Sequence, residues 1–204
     1  MRGVRARALV RRLVATTVVV AAILSVGASP AQSRPPLPYV TYSLSDSFDN
    51  PALWSNDFGA PMYPCSWGVV STVASLARTP TNSGSLSTCT GGLGSIGRYV
   101  TIPAGSDQCV VRVWRKAADF DPVTKRNTIH IDVIEPSTWF VQAQQIAVAN
   151  LNTDNGQWRQ HSTPFFTVSP WALPHTFFVR FLQAGTGSSQ ILHSRLDDMT
   201  LVCY

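Results

Sequence analysis

CVVRVWRK at residues 109–116 and TIHIDVI at residues 128–134 set the class of this chain. In the first, Cys109, Val111 and Val113 fall on one side and Arg112, Trp114 and Lys116 on the other. In the second, Ile129, Ile131 and Val133 oppose Thr128, His130 and Asp132. A period of two is the signature of a strand. A strand that is apolar on one side only belongs to a sheet with one buried face. Working outward, residues 67–74 (WGVVSTVA), 98–102 (RYVTI), 176–182 (TFFVRFL) and 191–203 read the same way, the second ending at the turn Pro103-Ala104-Gly105. In 176–182, Phe177, Val179 and Phe181 oppose Arg180; near the end Met199, Leu201 and Cys203 alternate. Pro and Gly are scattered throughout, no long stretch repeats at 3.6 residues, and there is no internal repeat. The expectation is an all-β chain whose strands form a two-sheet antiparallel β-sandwich.

The N-terminus has a different character. Arg2, Arg5, Arg7, Arg11 and Arg12 precede an apolar run from Leu13 to Val26 and small residues through Ser29-Pro30-Ala31. This is the plan of a secretory signal peptide over residues 1–31, cut after Ala31 or, alternatively, Ala28. The run is too short for a membrane span, which takes about 20 residues. The whole chain carries 16 Lys+Arg against 11 Asp+Glu, a net +5. Without those five arginines the two counts are equal, so the high isoelectric point belongs to the segment that is removed. The remainder has no basic run, which argues against nucleic acid as a partner. No stable membrane anchor is expected, and the localisation expected is extracellular.

A Pro-rich leader (residues 32–43, with Arg34-Pro35-Pro36-Leu37-Pro38) and one domain (44–204) complete the division, long enough for a full core. The four cysteines, Cys65, Cys89, Cys109 and Cys203, all follow the signal segment. An even count in an exported chain reads as disulfides. Three pairings are possible. The one favoured here, Cys65–Cys89 with Cys109–Cys203, joins two loop-like segments and ties the last strand to a central one. There is no Cys-x-x-Cys, so a zinc or redox role is not expected.

The order of motifs then resembles a family. Asp46-Ser47-Phe48-Asp49 stands before Trp54, Ala77-Arg78 before Ser83-Gly84-Ser85-Leu86, and Ile102-Pro103-Ala104-Gly105 before Val111 to Ala117. Gly156-Gln157-Trp158, Phe165 to Val168 and Phe178 to Phe181 follow, and the chain closes on Leu196-Asp197-Asp198-Met199-Thr200-Leu201. This resembles the galactose-binding-like β-jelly roll of bacterial carbohydrate-binding modules, over residues 44–204. The resemblance implies jelly-roll topology. It also implies a structural calcium ion, which takes oxygen ligands. Carried over, those ligands would be Asp49 and Asp198, with Asp46 beside them. Asp49 stands where the family more often has Glu, and the Pro/Cys stretch 59–68 is not typical of it. Adjacent strand residues point to opposite faces, so Asp197 and Asp198 are not expected to act as a simple pair.

If 109–116 and 128–134 pair across the 117–127 loop, Arg112, Trp114, His130 and Asp132 share one surface with Arg180. An indole covers the C–H face of a sugar ring while Arg, Asp and His reach its hydroxyls. Loops at the sandwich edge, with Tyr63, Trp67 and Trp139, are the other place for a ligand. Trp54, Trp158 and Trp171 are expected as core or loop anchors. Hydrolysis has little support. Glycosidases use two carboxylates, and Glu135 is the one glutamate, while Asp119 and Asp121 fall in a loop. His130, His161, His175 and His193 are isolated, and there is no Gly-x-Ser-x-Gly. Gly92-Leu93-Gly94-Ser95-Ile96-Gly97 fits the dinucleotide fingerprint in letters only, without strand–turn–helix context, and reads as a flexible glycine loop. The expected function is a secreted, non-catalytic binding domain for a glycan or cell-surface polysaccharide. The competing expectation is a structural or protein-interaction domain. Such modules usually accompany a catalytic domain, and none is expected here.

Overall fold

A computed structural model of the chain describes residues 39–56, 65–168, 173–187 and 189–204. The expected signal segment, the leader up to residue 38, Tyr63 and Trp171 lie outside the described residues. Two antiparallel sheets face each other. The seven-stranded sheet contains β1 (Tyr42–Asp46), β2 (Trp67–Ser71), β3 (Ser83–Thr88), β5 (Gln108–Ala117), β8 (Trp158–Ser162), β9 (Phe166–Thr167) and β11 (Leu192–Cys203). Its order is β2-β3-β11-β5-β8, with β1 also pairing β11 and β9 also pairing β5. The four-stranded sheet has the order β4-β10-β6-β7, from β4 (Leu93–Ile102), β6 (Arg126–Glu135), β7 (Phe140–Asn150) and β10 (His175–Ala184). The fold is thus the expected β-sandwich. The domain begins slightly earlier than expected, since β1 opens at Tyr42, inside the leader drawn over 32–43.

The alternation sorts the residues. Val111, Val113, Leu196 and Leu201 from one sheet meet Ile129, Ile131, Val133, Phe177, Val179 and Phe181 from the other in one buried cluster. Each large apolar side chain so enclosed stabilises the fold by roughly 1.5–3 kcal/mol. Both disulfides form as favoured, Cys65–Cys89 and Cys109–Cys203. The second joins directly opposed residues of β5 and β11.

Three expectations need correction. Strands β5 and β6 do not pair. After Ala117 the chain crosses to the other sheet, where β6 lies between β10 and β7, while β5 lies between β11 and β8. The glycine repeat is not a flexible loop, because Gly94 and Gly97 are residues of β4. A Cβ on Gly97 would stand 2.2 Å from the Phe178 ring, and one on Gly94 2.0 Å from the Ser87 carbonyl oxygen, so close packing demands glycine at both. Asp197 and Asp198 do not point to opposite faces. A β-bulge separates the pairs Asp197–Trp114 and Thr200–Arg112, with Asp198 at φ 45°. The turn it makes brings both carboxylates onto one loop. Asp197 accepts from the amides of Arg78 (2.6 Å) and Thr79 (2.9 Å), and Asp198 from the Thr79 hydroxyl (2.8 Å) and the Arg78 guanidinium. Burial raises the pKa of Asp197 although these amides oppose the shift.

A charged side chain also sits within the sandwich. Arg115 is 1% exposed and donates to the Ala147 carbonyl, the Asn127 amide oxygen and the Ser194 hydroxyl. Burial lowers its pKa to about 9, with Asp154 acting in the opposite direction.

Candidate functional site

The outward face of the four-stranded sheet is built in rows, because directly opposed residues of neighbouring strands share a side. The first row is Tyr99, Phe178, Ile134 and Val141. Tyr99 and Trp139 are each 53% exposed, and both rings rest on the buried Phe178, with centroids 5.0 and 6.3 Å away. Offset and edge contacts of this kind are the favoured arrangements of aromatic rings. They hold two exposed rings on one base.

The second row is Gly97, Arg180, Asp132 and Gln144. Asp132 is fully buried; one of its oxygens accepts from Arg180 Nε (3.0 Å) and Nη2 (2.6 Å), and the other from Gln144 Nε2 (2.8 Å). The ion pair neutralises itself, and the exposed edge of the row presents N–H donors without net charge. Gly97 has no side chain, and the Phe178 ring of the first row packs over it. The third row, Ser95, Leu182, His130 and Ile146, closes the face with two polar and two apolar residues.

Trp139 enters this face from the hairpin between β6 and β7. Its amide bonds back to the Glu135 carbonyl (2.8 Å), and its φ is 57°. A bulky residue in the left-handed region is strained, and such strain concentrates at functional positions. Glu135 anchors the hairpin through Ser137 and His175. Burial would raise its pKa, but the bonds from His175 and Ser137 outweigh that and leave it below the usual glutamate range.

The residues expected to form one site therefore divide. His130, Asp132 and Arg180 come together on this face. Arg112 and Trp114 lie on the outward side of the seven-stranded sheet, where the Arg78 guanidinium covers the Trp114 ring at 4.0 Å from its centroid. Trp54 is buried and stacks on Phe48 with centroids 4.2 Å apart, as expected of an anchor. Trp67 is a half-buried residue of β2 rather than of a loop. Tyr99, Phe178 and Gln144 were not expected in a site. Tyr99 carried a signal in RYVTI, being the one aromatic on the strand side opposite Val100 and Ile102.

The residues expected to hold calcium do not fit it as they stand. Asp46 accepts from the Phe48 amide (2.7 Å) and pairs with Arg98, and Asp198 pairs with Arg78. Asp49 is exposed, and its carboxylate makes no hydrogen bond among the described residues. Among those residues no group of three His, Cys, Asp or Glu side chains is placed to hold a metal ion. The guanidinium of Arg98, drawn inward and lowered in pKa by burial, instead links β4 of one sheet to β1 of the other through Asp46.

A cleft of about 450 Å³ runs between β2 and residues 51–56, and the buried Trp54 forms part of its wall. Among the described residues that line it there is no exposed ring.

No protein-family model matches the sequence, and no curated protein is similar to it in sequence. Among solved structures, the chain is similar to the Caldicellulosiruptor saccharolyticus CBM27-1 in complex with mannohexaose, with a TM-score of 0.51 and 14% identity, over 78% of this chain and 96% of that one. It is also similar to TmCBM61 in complex with β-1,4-galactotriose, with a TM-score of 0.48 and 13% identity, over 78% and 94%. At such identities the likeness speaks to fold. The first of them supports the expected jelly-roll sandwich.

Proposed function

We propose that this chain is a secreted, non-catalytic domain that binds a neutral glycan on the outward face of its four-stranded sheet. The observation that carries the reading is the pair of exposed rings, Tyr99 and Trp139, seated on Phe178 beside the self-neutralised row of Arg180, Asp132 and Gln144. Sugar rings present C–H faces to aromatics and hydroxyls to fixed N–H groups, and this surface offers both at adjacent rows. CBM27-1, which shares the fold, was solved with an oligosaccharide bound. The absence of net charge in the central row favours neutral sugars over uronates.

Retention on a panel of neutral polysaccharides tests the site. Tyr99→Ala is expected to weaken binding at least tenfold. Trp139→Gly is the sharper variant. It removes the indole and also the left-handed strain, so binding should fall while the melting temperature holds or rises slightly. Trp114→Ala should keep binding. No retention on any neutral glycan, or retention indifferent to Tyr99 and Trp139, would turn the reading to a protein-interaction domain.

Secretion is part of the same proposal and rests on residues 1–31 and on two disulfides, which persist in oxidising compartments. N-terminal sequencing of protein recovered from the medium should begin at Gln32, or at Ser29 if the cut follows Ala28. An intact Met1 on the recovered protein would remove the signal-peptide reading.

A further inference from the structure

The opposite side of the molecule carries an arrangement that glycan binding on the four-stranded sheet leaves unused. On the outward face of the seven-stranded sheet, Lys116 of β5 stands directly opposite Arg195 of β11. Like charges in directly opposed positions destabilise a sheet. On the other side of Lys116 the directly opposed residue is Trp158 of β8, and on the far side of Arg195 it is Ser85, whose hydroxyl accepts from Arg195. Arg112 lies on the same face of β5, about 13 Å along the strand from Lys116. Among the described residues none of these three cations forms an ion pair.

The carboxylates of this face are already engaged. Asp198 is held by Arg78, Asp197 is buried under the amides of Arg78 and Thr79, and Asp119 pairs with His193. Asp119 also acts electrostatically on Arg195, whereas Arg112 and Lys116 stand without a paired carboxylate among the described residues. Lys116, Arg195 and Arg112 are half-buried, and the Arg195 guanidinium is held against the sheet by the buried Ser85 hydroxyl.

We infer that this face binds an anionic polysaccharide, one bearing sulfate or carboxylate groups along a sugar chain. Arg112 and Lys116 supply the attraction, and Arg195 adds to it from directly opposite Lys116. Trp158 beside Lys116 supplies a surface for a sugar ring, and Gln160 and Ser162, directly opposite Trp114 and Arg112, supply hydrogen bonds to hydroxyls. Nucleic acid would draw on the same charges, but the neutral balance of the domain and its disulfides favour an extracellular sugar polymer. The inference does not depend on the neutral-glycan site, because the two faces belong to different sheets.

Dextran sulfate, neutral dextran and a single-stranded oligonucleotide are the probes, applied to the purified protein at several salt concentrations. Dextran sulfate should bind, weaken as salt rises, and exceed both of the others. Arg112→Gln and Lys116→Gln should each weaken it at least about fivefold, and the pair together more. Lys116→Gln should hold or raise the melting temperature, because it removes the like-charge opposition to Arg195, so lost binding is not lost folding. Tyr99→Ala should leave dextran sulfate binding intact. The inference is overturned by no binding of dextran sulfate, by binding that the paired substitution leaves unchanged, by an oligonucleotide that binds better, or by loss of binding in Tyr99→Ala.

Discussion

Replacing Cys109 and Cys203 together by alanine is expected to lower the stability of the domain by about 4 kcal/mol. The two residues are separated by 94 positions, and cross-linking a loop of that length removes more freedom from the unfolded chain than any shorter bridge. Cys65–Cys89 closes a separation of only 24, and its removal should cost about 3 kcal/mol. Burial widens the gap. Both Cys109 and Cys203 are fully enclosed, so their loss also leaves space within the core. Cys203 further sits where β11 is paired on both sides, with Cys109 of β5 and Tyr42 of β1. Denaturant melts of the two alanine pairs, read as midpoint and slope, provide the check. A cost for Cys65/Cys89 equal to or greater than that for Cys109/Cys203 would show that loop length and burial do not govern here. Against a total stability of roughly 5–15 kcal/mol, the larger loss removes about a quarter or more of the whole.

That bridge was legible in the sequence because its strands were. β5, β6, β10 and β11 alternate with their large apolar residues inward, and the expected spans agree with the observed ones to within a few residues. β7 could not be read in the same way. It places Ala143, Ala147 and Ala149 in the core and leaves Ile146 and Val148 exposed, so its strongest apolar signal points outward. β3 is Ser-Gly-Ser-Leu-Ser-Thr, fully buried, and carries no period at all. The site suffered from the same limitation at the level of sheets. Parity told which residues leave the core, and His130, Asp132 and Arg180 do. It does not tell which sheet a strand joins, and a loop of 117–127 serves a crossover as well as a hairpin. Arg112 and Trp114 were thus assigned to the right kind of face on the wrong sheet. Arg115 gave a sign that was available. It stands at the parity of Cys109, Val111 and Val113, where a cation must be paired or hydrogen-bonded.

The central row of the candidate site should respond unequally to the loss of its two charges. Arg180→Ala is expected to cost about 3 kcal/mol, because it leaves the Asp132 carboxylate fully buried with only Gln144 to support it. Asp132→Ala should cost less, about 1–2 kcal/mol, since the Arg180 side chain is 21% exposed and its head can turn to water. The double replacement should be no worse than Asp132→Ala, as the charge that makes Arg180 necessary has then gone. Thermal or denaturant melts of the four proteins form a cycle that isolates the coupling. Equal costs for the two single variants, or a double variant that adds both, would mean that Asp132 is not the element that fixes Arg180. The same cycle bears on binding. Asp132→Ala keeps the donors of Arg180 but leaves its charge uncancelled, so neutral glycans should lose the oriented guanidinium while the fold persists. A charge buried beneath an exposed arginine is a costly way to stabilise a sheet and an effective way to hold one guanidinium still. For that reason the row is expected to contribute more to recognition than to stability.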